Sequence, residues 1–307
     1  MFKYTLDNKR YHTLNYYFKN RYGKKTFKVS LNGNFSCPNK TNGKGCIFCS
    51  RLGSGDFAGN KEKDLITQFN EVKTIMEKKW PDSYYIGYFQ ANTNTFAPVP
   101  ILKEKYEQIL SLPNVVGLNI ATRSDAITEE CYDYLEELSK RTNLIVELGL
   151  QSIHEKTLKF INRGHDLQNF EQAVKELQKR NIEVIVHIIN GLPGETKEDM
   201  IETIKYLNDL KIDGIKIHML HIIENTDLAD YYKENPFHIL TKEEYIDIVV
   251  SQLEYLSPEI VIHRITGDPK KEDLIEPTWL LKKFCVLNDI DKELVKRDTY
   301  QGAKTKE

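Results

Sequence analysis

Seven runs rich in β-branched and aromatic residues alternate with charged segments of helical periodicity along this 307-residue chain. The runs occupy residues 27–32, 84–91, 115–121, 144–150, 183–190, 215–220 and 259–265. The helical segments occupy residues 62–79, 101–111, 128–140, 167–180, 196–210 and 241–256. Such alternation is typical of a parallel sheet covered by helices. We therefore predict an α/β fold, a partial (β/α) barrel of about six to seven parallel strands with its helices outside. A doubly wound sheet stays an alternative, because periodicity does not reveal whether a sheet curls.

The same pattern divides the chain into three parts. We expect a basic, aromatic N-terminal extension over residues 1–26 that packs on the barrel, the barrel itself over 27–268, and a C-terminal helical extension over 269–307. Two helix starts have capping signals: Thr196 precedes Lys-Glu-Asp, and Ser152 stands three residues before Glu155. Both patterns predict an N-cap at the first residue of the pair.

Polar residues follow every predicted strand, at the point where the chain leaves it. The seven stretches read NGNFSCPN, QANTNTF, ATRSD, QSIH, NGLPGET, HIIENT and HRITGDP. Turn chemistry accounts for each of them alone. In a βα barrel, however, the C-terminal strand ends lie together and hold the active site. Their shared position therefore predicts a functional site at that end of the sheet.

Three of the five cysteines lie within 13 residues, in CPNKTNGKGCIFC, as Cys37, Cys46 and Cys49. The N-terminus lacks the apolar core of a signal peptide, and no segment is long and apolar enough to cross a membrane. We therefore expect a cytoplasmic protein without a membrane partner. In that compartment thiols stay reduced, so clustered cysteines indicate metal binding or catalysis rather than disulfides.

The cysteine spacing leaves three interpretations open. A structural zinc site needs four ligands, and the two other cysteines, Cys131 and Cys285, lie in helical stretches where we expect small core thiols. Three thiolates on a glycine-rich loop suit a four-iron cluster that leaves one iron open. Phe48, between the last two cysteines, would then cover one face of that cluster. A zinc site and inert thiols are the alternatives.

Long stretches across nearly the whole chain resemble one enzyme family. They include RYHTLNYYFKNRYGKKTFKVSLNGNFSCPN, YFQANTNTFAP, VELGLQSIHEKTLKFINRGHD, INGLPGET and DGIKIHML. These stretches resemble radical S-adenosylmethionine (SAM) enzymes. Within that superfamily the chain is similar to the small YhcC/YtqA type, which is related to the radical SAM domain of the elongator catalytic subunit.

The resemblance implies a cofactor set and a reaction. Cys37, Cys46 and Cys49 would hold a [4Fe–4S] cluster, and SAM would bind its open iron. One electron, from a donor such as flavodoxin or ferredoxin, would cleave SAM to methionine and a 5′-deoxyadenosyl radical, which abstracts hydrogen from the substrate. The kinship with elongator implies tRNA as the substrate, with the wobble uridine and an aminomethyl-type side chain as the target.

The resemblance also implies cofactor contacts after the strands. The stretch from Gln90 to Thr95 would hold the SAM amino group, and Gln151 and Arg163 would contact its ribose or carboxylate. The full set of expected cofactor contacts is Phe48, Gln90, Asn92, Thr93, Gln151, Arg163, His187 and Gly191. Ordinary turn chemistry, a solvated helix-end charge and a core histidine are the structural alternatives for these positions.

Two further groups are candidate substrate contacts. His218, His263 and Arg264 lie at late strand ends, where they would meet the substrate or support the loops. Residues 1–28 carry eight cations against one acid, interleaved with aromatic rings, a composition that suits RNA phosphates and bases. The candidates in this segment are Lys19, Arg21, Lys24 and Lys25. The alternative is an amphipathic helix whose rings pack on the barrel and whose cations are solvated.

Two functions from other classes compete with a radical SAM enzyme. One is an iron–sulfur electron-transfer or scaffold protein without SAM cleavage, and the polar strand ends argue against it. The other is a zinc-stabilised nucleic-acid-binding module. Metal analysis and a SAM-cleavage assay would separate the three.

Overall fold

The computed structural model describes residues 2–50, 52, 53, 55 and 57–305. In this part of the chain the strands are β1 (Thr26–Leu31), β2 (Tyr84–Phe89), β3 (Val115–Thr122), β4 (Asn143–Gln151), β5 (Glu183–Asn190), β6 (Gly214–Met219), β7 (Ile222–Ile223), β8 (Val261–Arg264) and β9 (Leu274–Glu276). The α-helices are α1 (Leu14–Tyr22), α2 (Pro38–Thr41), α3 (Leu65–Lys79), α4 (Val99–Leu110), α5 (Glu129–Ser139), α6 (Glu155–Phe160), α7 (Leu167–Lys179), α8 (Lys197–Asp209), α9 (Asp227–Glu234), α10 (Lys242–Tyr255) and α11 (Lys283–Lys296).

Seven strands form one parallel sheet in the order β1-β2-β3-β4-β5-β6-β8. A doubly wound sheet would reverse its strand order part-way, and this order never reverses. The sheet also curls, because Lys28 Nζ on the first strand lies 2.9 Å from His263 Nδ1 on the last. The predicted partial barrel is confirmed, with seven parallel strands, and the doubly wound alternative is wrong.

Helices cover the outside of the sheet with apolar stripes. In α7, for example, Phe170, Ala173, Val174 and Leu177 are all buried, at the spacing that puts them on one helix face. Burial of each large apolar side chain of this kind contributes roughly 1.5–3 kcal/mol. Asp166 begins the helix by accepting a hydrogen bond from the Asn169 backbone N–H at 2.8 Å.

The predicted strands and helices agree with the structure to within three residues at each end. The N-cap predicted at Thr196 is confirmed, and Thr196 and Asp199 exchange hydrogen bonds in a capping box. The N-cap predicted at Ser152 is wrong. Helix α6 has His154 as its N-cap, and the Ser152 hydroxyl donates instead to the Glu195 carboxylate, which arrives from the loop after β5.

The segment before β1 lies across the N-terminal ends of the strands. Helix α1 contributes Tyr17 and Arg21, which hydrogen-bond the Glu183 carboxylate at the start of β5 at 2.6 and 2.7 Å. The Tyr22 hydroxyl donates to Asn143 at the start of β4, at 2.8 Å. This segment therefore covers the barrel at the end opposite to the polar loops.

The C-terminal part adds α11, which packs on α10 through Val286, Ile290 and Leu294. Strands β7 and β9 form a small antiparallel pair beside the main sheet. Among the described helices, none combines the length and the apolar character needed to cross a bilayer.

Candidate active site

One pocket opens at the C-terminal ends of the parallel strands. Strands β2 to β6 and β8 and the loop after β1 all contribute to its walls. Its lining includes the side chains of Cys37, Lys40, Cys46, Phe48, Cys49, Tyr88, Gln90, Asn92, Thr93, Arg123, Glu147, Gln151, Arg163, His187, Lys216, His218, His221 and Arg264. Six of the seven polar strand ends contribute residues to this one cavity, and the stretch NGLPGET after β5 does not.

Cys37, Cys46 and Cys49 line this pocket together as free, half-buried thiols. The side chain of Asn39 holds the loop by donating from Nδ2 to the Asn162 carbonyl at 2.8 Å and to Cys46 Sγ at 3.5 Å. The loop is therefore anchored to the segment that follows α6, and its three thiols face the cavity.

The distances between the three thiol sulfurs can be compared with those around a single zinc ion. A tetrahedral zinc ion with Zn–S distances of about 2.3 Å brings its sulfurs to within about 4 Å of each other. Among the described residues, the group of three ligand atoms that lie within 4.8 Å of one another is His154, Asp199 and Glu202, and the three thiols do not form such a group. At least two of the three sulfurs therefore lie more than 4.8 Å apart, farther than two ligands of one tetrahedral zinc ion.

The two other cysteines lie far from this loop in the fold. Cys131 is buried on α5, as expected. Cys285 was expected in the core but is exposed, so that prediction is wrong. The physical reason is that α11 packs through Val286, Ile290 and Leu294, which places Cys285 and the 77% exposed Phe284 on its outer face.

Two buried arginines stand beside the cysteines. Arg123 donates to both oxygens of Asp125, at 2.8 and 2.7 Å, and to the Arg163 carbonyl at 2.9 Å. Arg163 is only 4% exposed, and its side chain lies 4.0 Å from Cys46 Sγ and donates to the Gly149 carbonyl at 2.6 Å. Burial lowers the pKa of Arg163, and the neighbouring Cys46 thiol opposes that shift. The thiols thus have a cationic wall on one side.

Burial also raises the pKa of the Cys49 thiol, and the nearby Lys40 ammonium counteracts part of that rise. Lys40 Nζ is held in place by the Ser50 carbonyl at 2.7 Å. A thiol in this position gains from a positive metal centre, because the metal replaces the proton as the partner of the sulfur.

Most expected cofactor contacts line the pocket. Phe48, Gln90, Asn92, Thr93 and His187 do so, as do the two residues implied for the ribose or carboxylate of SAM, Gln151 and Arg163. Gly191 does not: its Cα faces Leu240 and Met219, where an added Cβ would lie 3.1 and 3.3 Å from their side chains. With a φ of +84°, Gly191 shapes the turn after β5 behind the cavity wall.

Two side chains beside the thiols have unsatisfied polar atoms. Gln151 Oε1 and Arg163 Nε are both buried without a hydrogen-bond partner in the described part of the chain. Gln151 also adopts a left-handed backbone with φ of +70°, which costs a non-glycine residue about 1–3 kcal/mol and is common at ligand sites. Both residues line the pocket beside the cysteines.

A polar cluster at the floor of the pocket was not predicted from the sequence. The fully buried Glu147 carboxylate on β4 accepts from Lys28 at 2.9 Å and from Lys216 at 2.5 Å. Asn119 Nδ2 and His187 Nε2 complete its shell at 2.8 and 2.9 Å. Charged residues inside the apolar runs FKVSLN, LIVELGL and IKIHML were the available signal, since a buried charge needs a partner.

This cluster, which we call the lumen cluster (Lys28, Asn119, Glu147, His187 and Lys216), is electrostatically coupled. Burial alone would raise the pKa of Glu147, but the charges of Lys216 and Lys28 outweigh it, and the pKa lies well below its usual range. Burial lowers the pKa of Lys216 to about 7 and the pKa of His187 to about 4. Tyr88 on β2 accepts a further hydrogen bond from Lys216 at 2.9 Å.

The candidate substrate contacts separate into two ends of the molecule. His218 and Arg264 line the pocket, whereas His263 lies below it against Lys28. The four N-terminal cations lie at the opposite end of the barrel. Three of them have local partners: Arg21 pairs with Glu183, Lys24 Nζ lies 2.8 Å from Asp82, and Lys25 donates to Asn15 at 2.9 Å. Lys19 on α1 is exposed.

Residues 36–207 match the radical SAM superfamily, and residues 212–296 match the radical SAM C-terminal domain. The chain belongs to the radical SAM superfamily. The cysteine loop, both arginines and the walls formed by β2 to β5 all fall within the first match. Strands β6 and β8 fall within the second.

Relatives that match over nearly the whole chain confirm that it is of the YhcC/YtqA type. YtqA of Bacillus subtilis (strain 168), an uncharacterized protein, is 49% identical over 304 residues, which cover 98% of this chain and 94% of YtqA. YhcC of Escherichia coli (strain K12) is 33% identical over 278 residues, which cover 89% of each chain.

The similarity to elongator-type proteins covers part of the chain in sequence and most of the chain in structure. The tRNA uridine(34) acetyltransferase of Methanocaldococcus infernus is 31% identical over 137 residues, 44% of this chain and 25% of that protein. The structure of archaeal Methanocaldococcus infernus Elp3 superposes with a TM-score of 0.71 at 19% identity and covers 91% of this chain and 64% of that one. At this identity the superposition shows the fold alone.

The cofactors of the superfamily are a [4Fe–4S] cluster and SAM, and the site fits both. Cys37, Cys46 and Cys49 supply three soft ligands on one loop and leave a fourth position open. The unpartnered Gln151 and Arg163 atoms beside them suit the polar groups of SAM. A guanidinium matches a carboxylate in geometry and charge.

Proposed function

We propose that this radical SAM enzyme modifies tRNA and that its target is the side chain of the wobble uridine, of the aminomethyl type. The observation that carries the proposal is the likeness over 137 residues to a tRNA uridine(34) acetyltransferase, within a chain whose family performs radical chemistry. The position of the pocket at the C-terminal ends of the strands supports it, because a large substrate would present one nucleotide to the pocket from outside.

The chain's own residues have distinct roles in this proposal. The three cysteines hold the cluster, and Arg163 and Gln151 orient SAM. Phe48 and the strand-end loops shield the cavity from water. When bound and reduced, the cluster supplies the electron for the reductive cleavage of SAM to the 5′-deoxyadenosyl radical. An external one-electron donor of the flavodoxin or ferredoxin kind is part of the proposal.

The N-terminal basic segment enters the proposal as an accessory RNA-binding surface. Lys19, Arg21, Lys24 and Lys25 lie at the far end of the barrel, so they would meet a part of the tRNA distant from the modified base. Changing all four to Gln should lower the log–log salt slope of tRNA binding by roughly 0.7–0.9 for each phosphate that the variant no longer neutralises. An unchanged slope would mean that Arg21 and Lys24 do not bind tRNA and have only a structural role.

Mass spectrometry of tRNA nucleosides tests the proposed function. We expect cells without this protein to lose one wobble-uridine nucleoside and to accumulate its precursor, and the parent chain to restore it. A chain with Cys46→Ala, expressed at the same level, is the matched control and should not restore it. Identical nucleoside profiles with and without the protein would refute the tRNA assignment.

Cleavage of SAM in vitro tests the chemistry separately. Anaerobically reconstituted protein with dithionite should release 5′-deoxyadenosine and methionine in equal amounts. Protein that holds iron and sulfide but never cleaves SAM, with or without tRNA, would instead support an electron-transfer role.

A further inference from the structure

We infer that the pocket wall formed by β6 and β8 binds an oxyanion of the substrate, a carboxylate or a phosphate, through the guanidinium of Arg264, with His218 and His221 beside it. The inference rests on the proposed function for the identity of the whole substrate, and it adds the chemical group that the enzyme recognises in the pocket.

Arg264 is the residue that carries this inference. It is the last residue of β8, it is half-buried, and its side chain lines the pocket. A guanidinium offers five N–H donors and stays charged. Within the described part of the chain, no carboxylate forms an ion pair with Arg264 and no group accepts a hydrogen bond from it. A cation in this position is therefore available to a ligand.

Two histidines next to Arg264 also have unsatisfied atoms. His218 Nε2 and His221 Nδ1 are buried without a hydrogen-bond partner among the described residues, and both side chains line the pocket. Burial, together with the positive charge of Arg264, keeps both rings neutral, and the pKa of His221 is lowered to about 4. A neutral imidazole can still donate one hydrogen bond to an anion.

The acidic groups nearby do not balance the Arg264 charge. Glu147 is already shared by Lys28 and Lys216. Asp268 at the rim pairs with Lys283 at 2.7 Å. Among the described lining residues, the remaining carboxylate is that of Asp273, and Lys270 lines the pocket as well. Within the described part of the chain, this wall thus has an excess of positive charge.

The Arg264 wall is distinct from the part of the site assigned to SAM. Arg163 follows α6 and lies 4.0 Å from Cys46 Sγ, whereas Arg264 ends the last strand of the sheet and sits opposite Lys216 in the β6–β8 register. The pocket therefore holds these two arginines in separate walls. A guanidinium pairs with carboxylate and phosphate oxygens in a bidentate manner.

Chemical modification of arginine tests anion binding without any activity. The intact chain is treated with phenylglyoxal in acetate, in inorganic phosphate or in chloride, and each modified peptide is quantified by mass spectrometry. An anion at twice its Kd should slow Arg264 modification about threefold, since the free fraction falls as 1/(1 + [L]/Kd). The reference is Arg141, which pairs with Glu107 on the outer surface. Equal rates at Arg264 in all three salts would overturn the inference.

Substitution then identifies the source of the oxyanion. Arg264→Gln should weaken tRNA binding about ten- to a hundredfold, the range for hydrogen bonds to charged groups, and Arg264→Lys should recover part of the loss. The two ligands compared are tRNA from cells lacking this protein and a synthetic anticodon stem–loop with unmodified uridine. Equal weakening of both indicates a backbone phosphate, and weakening of the cellular tRNA alone indicates a carboxylate on the modified base.

The outcomes also separate this inference from the proposed function. Anion protection of Arg264 in a protein that binds no tRNA would refute the tRNA assignment and keep the oxyanion site. Normal affinity of Arg264→Gln for both RNAs, with SAM binding intact by calorimetry, would refute the oxyanion site and keep the tRNA assignment.

Discussion

Replacing Glu147 by Gln should destabilise this protein more than any surface charge change. Its carboxylate is fully buried and lies between two lysines whose side chains are 13% and 7% exposed. The substitution keeps the size of the side chain but removes its charge. Lys28 and Lys216 are then left without the anion that makes their burial tolerable.

The magnitude follows from the four hydrogen bonds of the carboxylate. Lys28, Lys216, Asn119 and His187 all meet it at 2.5–2.9 Å. Removing one partner of a buried ion pair costs about 3–5 kcal/mol, which is a large fraction of the roughly 5–15 kcal/mol by which domains are stable. We therefore expect a loss of about 3–5 kcal/mol at pH 7.

The loss should depend on pH in a defined direction. The pKa of Lys216 is about 7 in the folded protein and 10.5 ordinarily, so between these values the unfolded chain binds more protons and stability rises with pH. Without Glu147, the pKa of both lysines falls further. For Lys216 the deficit of the variant should shrink as pH rises from the lowered pKa in the variant to about pH 7, by about 1.4 kcal/mol per pH unit, and should stay constant above about pH 7.

Urea unfolding, followed by circular dichroism at pH 5.5, 6.5 and 7.5 on the parent and the variant, measures this effect. Glu155→Gln is the matched control, because Glu155 pairs with Lys159 on an exposed helix face and should change stability by less than about 0.5 kcal/mol. Adding Lys216→Met to Glu147→Gln should recover part of the loss, since an apolar residue needs no counterion. A Glu147→Gln protein as stable as the Glu155→Gln control would refute the reasoning.

Three further changes have defined outcomes. After anaerobic reconstitution, the parent should be brown and hold about four irons per chain, and Cys46→Ala should lose both properties. A visible spectrum and iron analysis check this, and a colourless parent with one zinc would contradict it. Arg163→Ala should weaken SAM binding about tenfold or more by calorimetry, and an unchanged Kd would remove Arg163 from the cofactor site. The pKa values of His187 and His221 are about 4 in the folded protein and 6.5 ordinarily. As pH falls from 6.5 to about 4, the free energy of unfolding should therefore fall by up to about 1.4 kcal/mol per pH unit for each histidine. Urea titrations at pH 7 and pH 5 would detect or exclude this loss.

Local patterns predicted the elements of this fold well, and they failed where a distant residue competed or where neighbours on the same helix defined its buried face. The capping box at Thr196 forms because both of its partners lie within one helical turn. The same pattern at Ser152 fails because Glu195, far along the chain, takes the hydroxyl. The pattern around Cys285 predicted a core thiol, but neighbouring apolar residues on α11 define the buried face instead.

The candidate site shows the same division. The spacing of Cys37, Cys46 and Cys49 and the polar strand ends indicated the cofactor loop from sequence, and the cavity lining agrees with them. Gly191 does not line the cavity and its contact with a cofactor stays a prediction, because a turn glycine looks the same in sequence whether it faces a ligand or Leu240. The orphan atoms of Gln151 and His218 could not be foreseen, because a missing partner is a property of all surrounding elements at once.

By itself, the sequence determined the parallel α/β architecture and the cysteine loop, since both depend on periodicity and spacing within short stretches of chain. Only the tertiary structure decided that Lys28, Glu147 and Lys216, from three separate strands, share one buried charge cluster. It also decided that Arg21 faces Glu183 at the far end of the barrel while Arg264 faces the pocket. The physical reason is that charge pairing acts through space: the partner of a buried ion is determined by how the sheet curls, which no local stretch of sequence encodes.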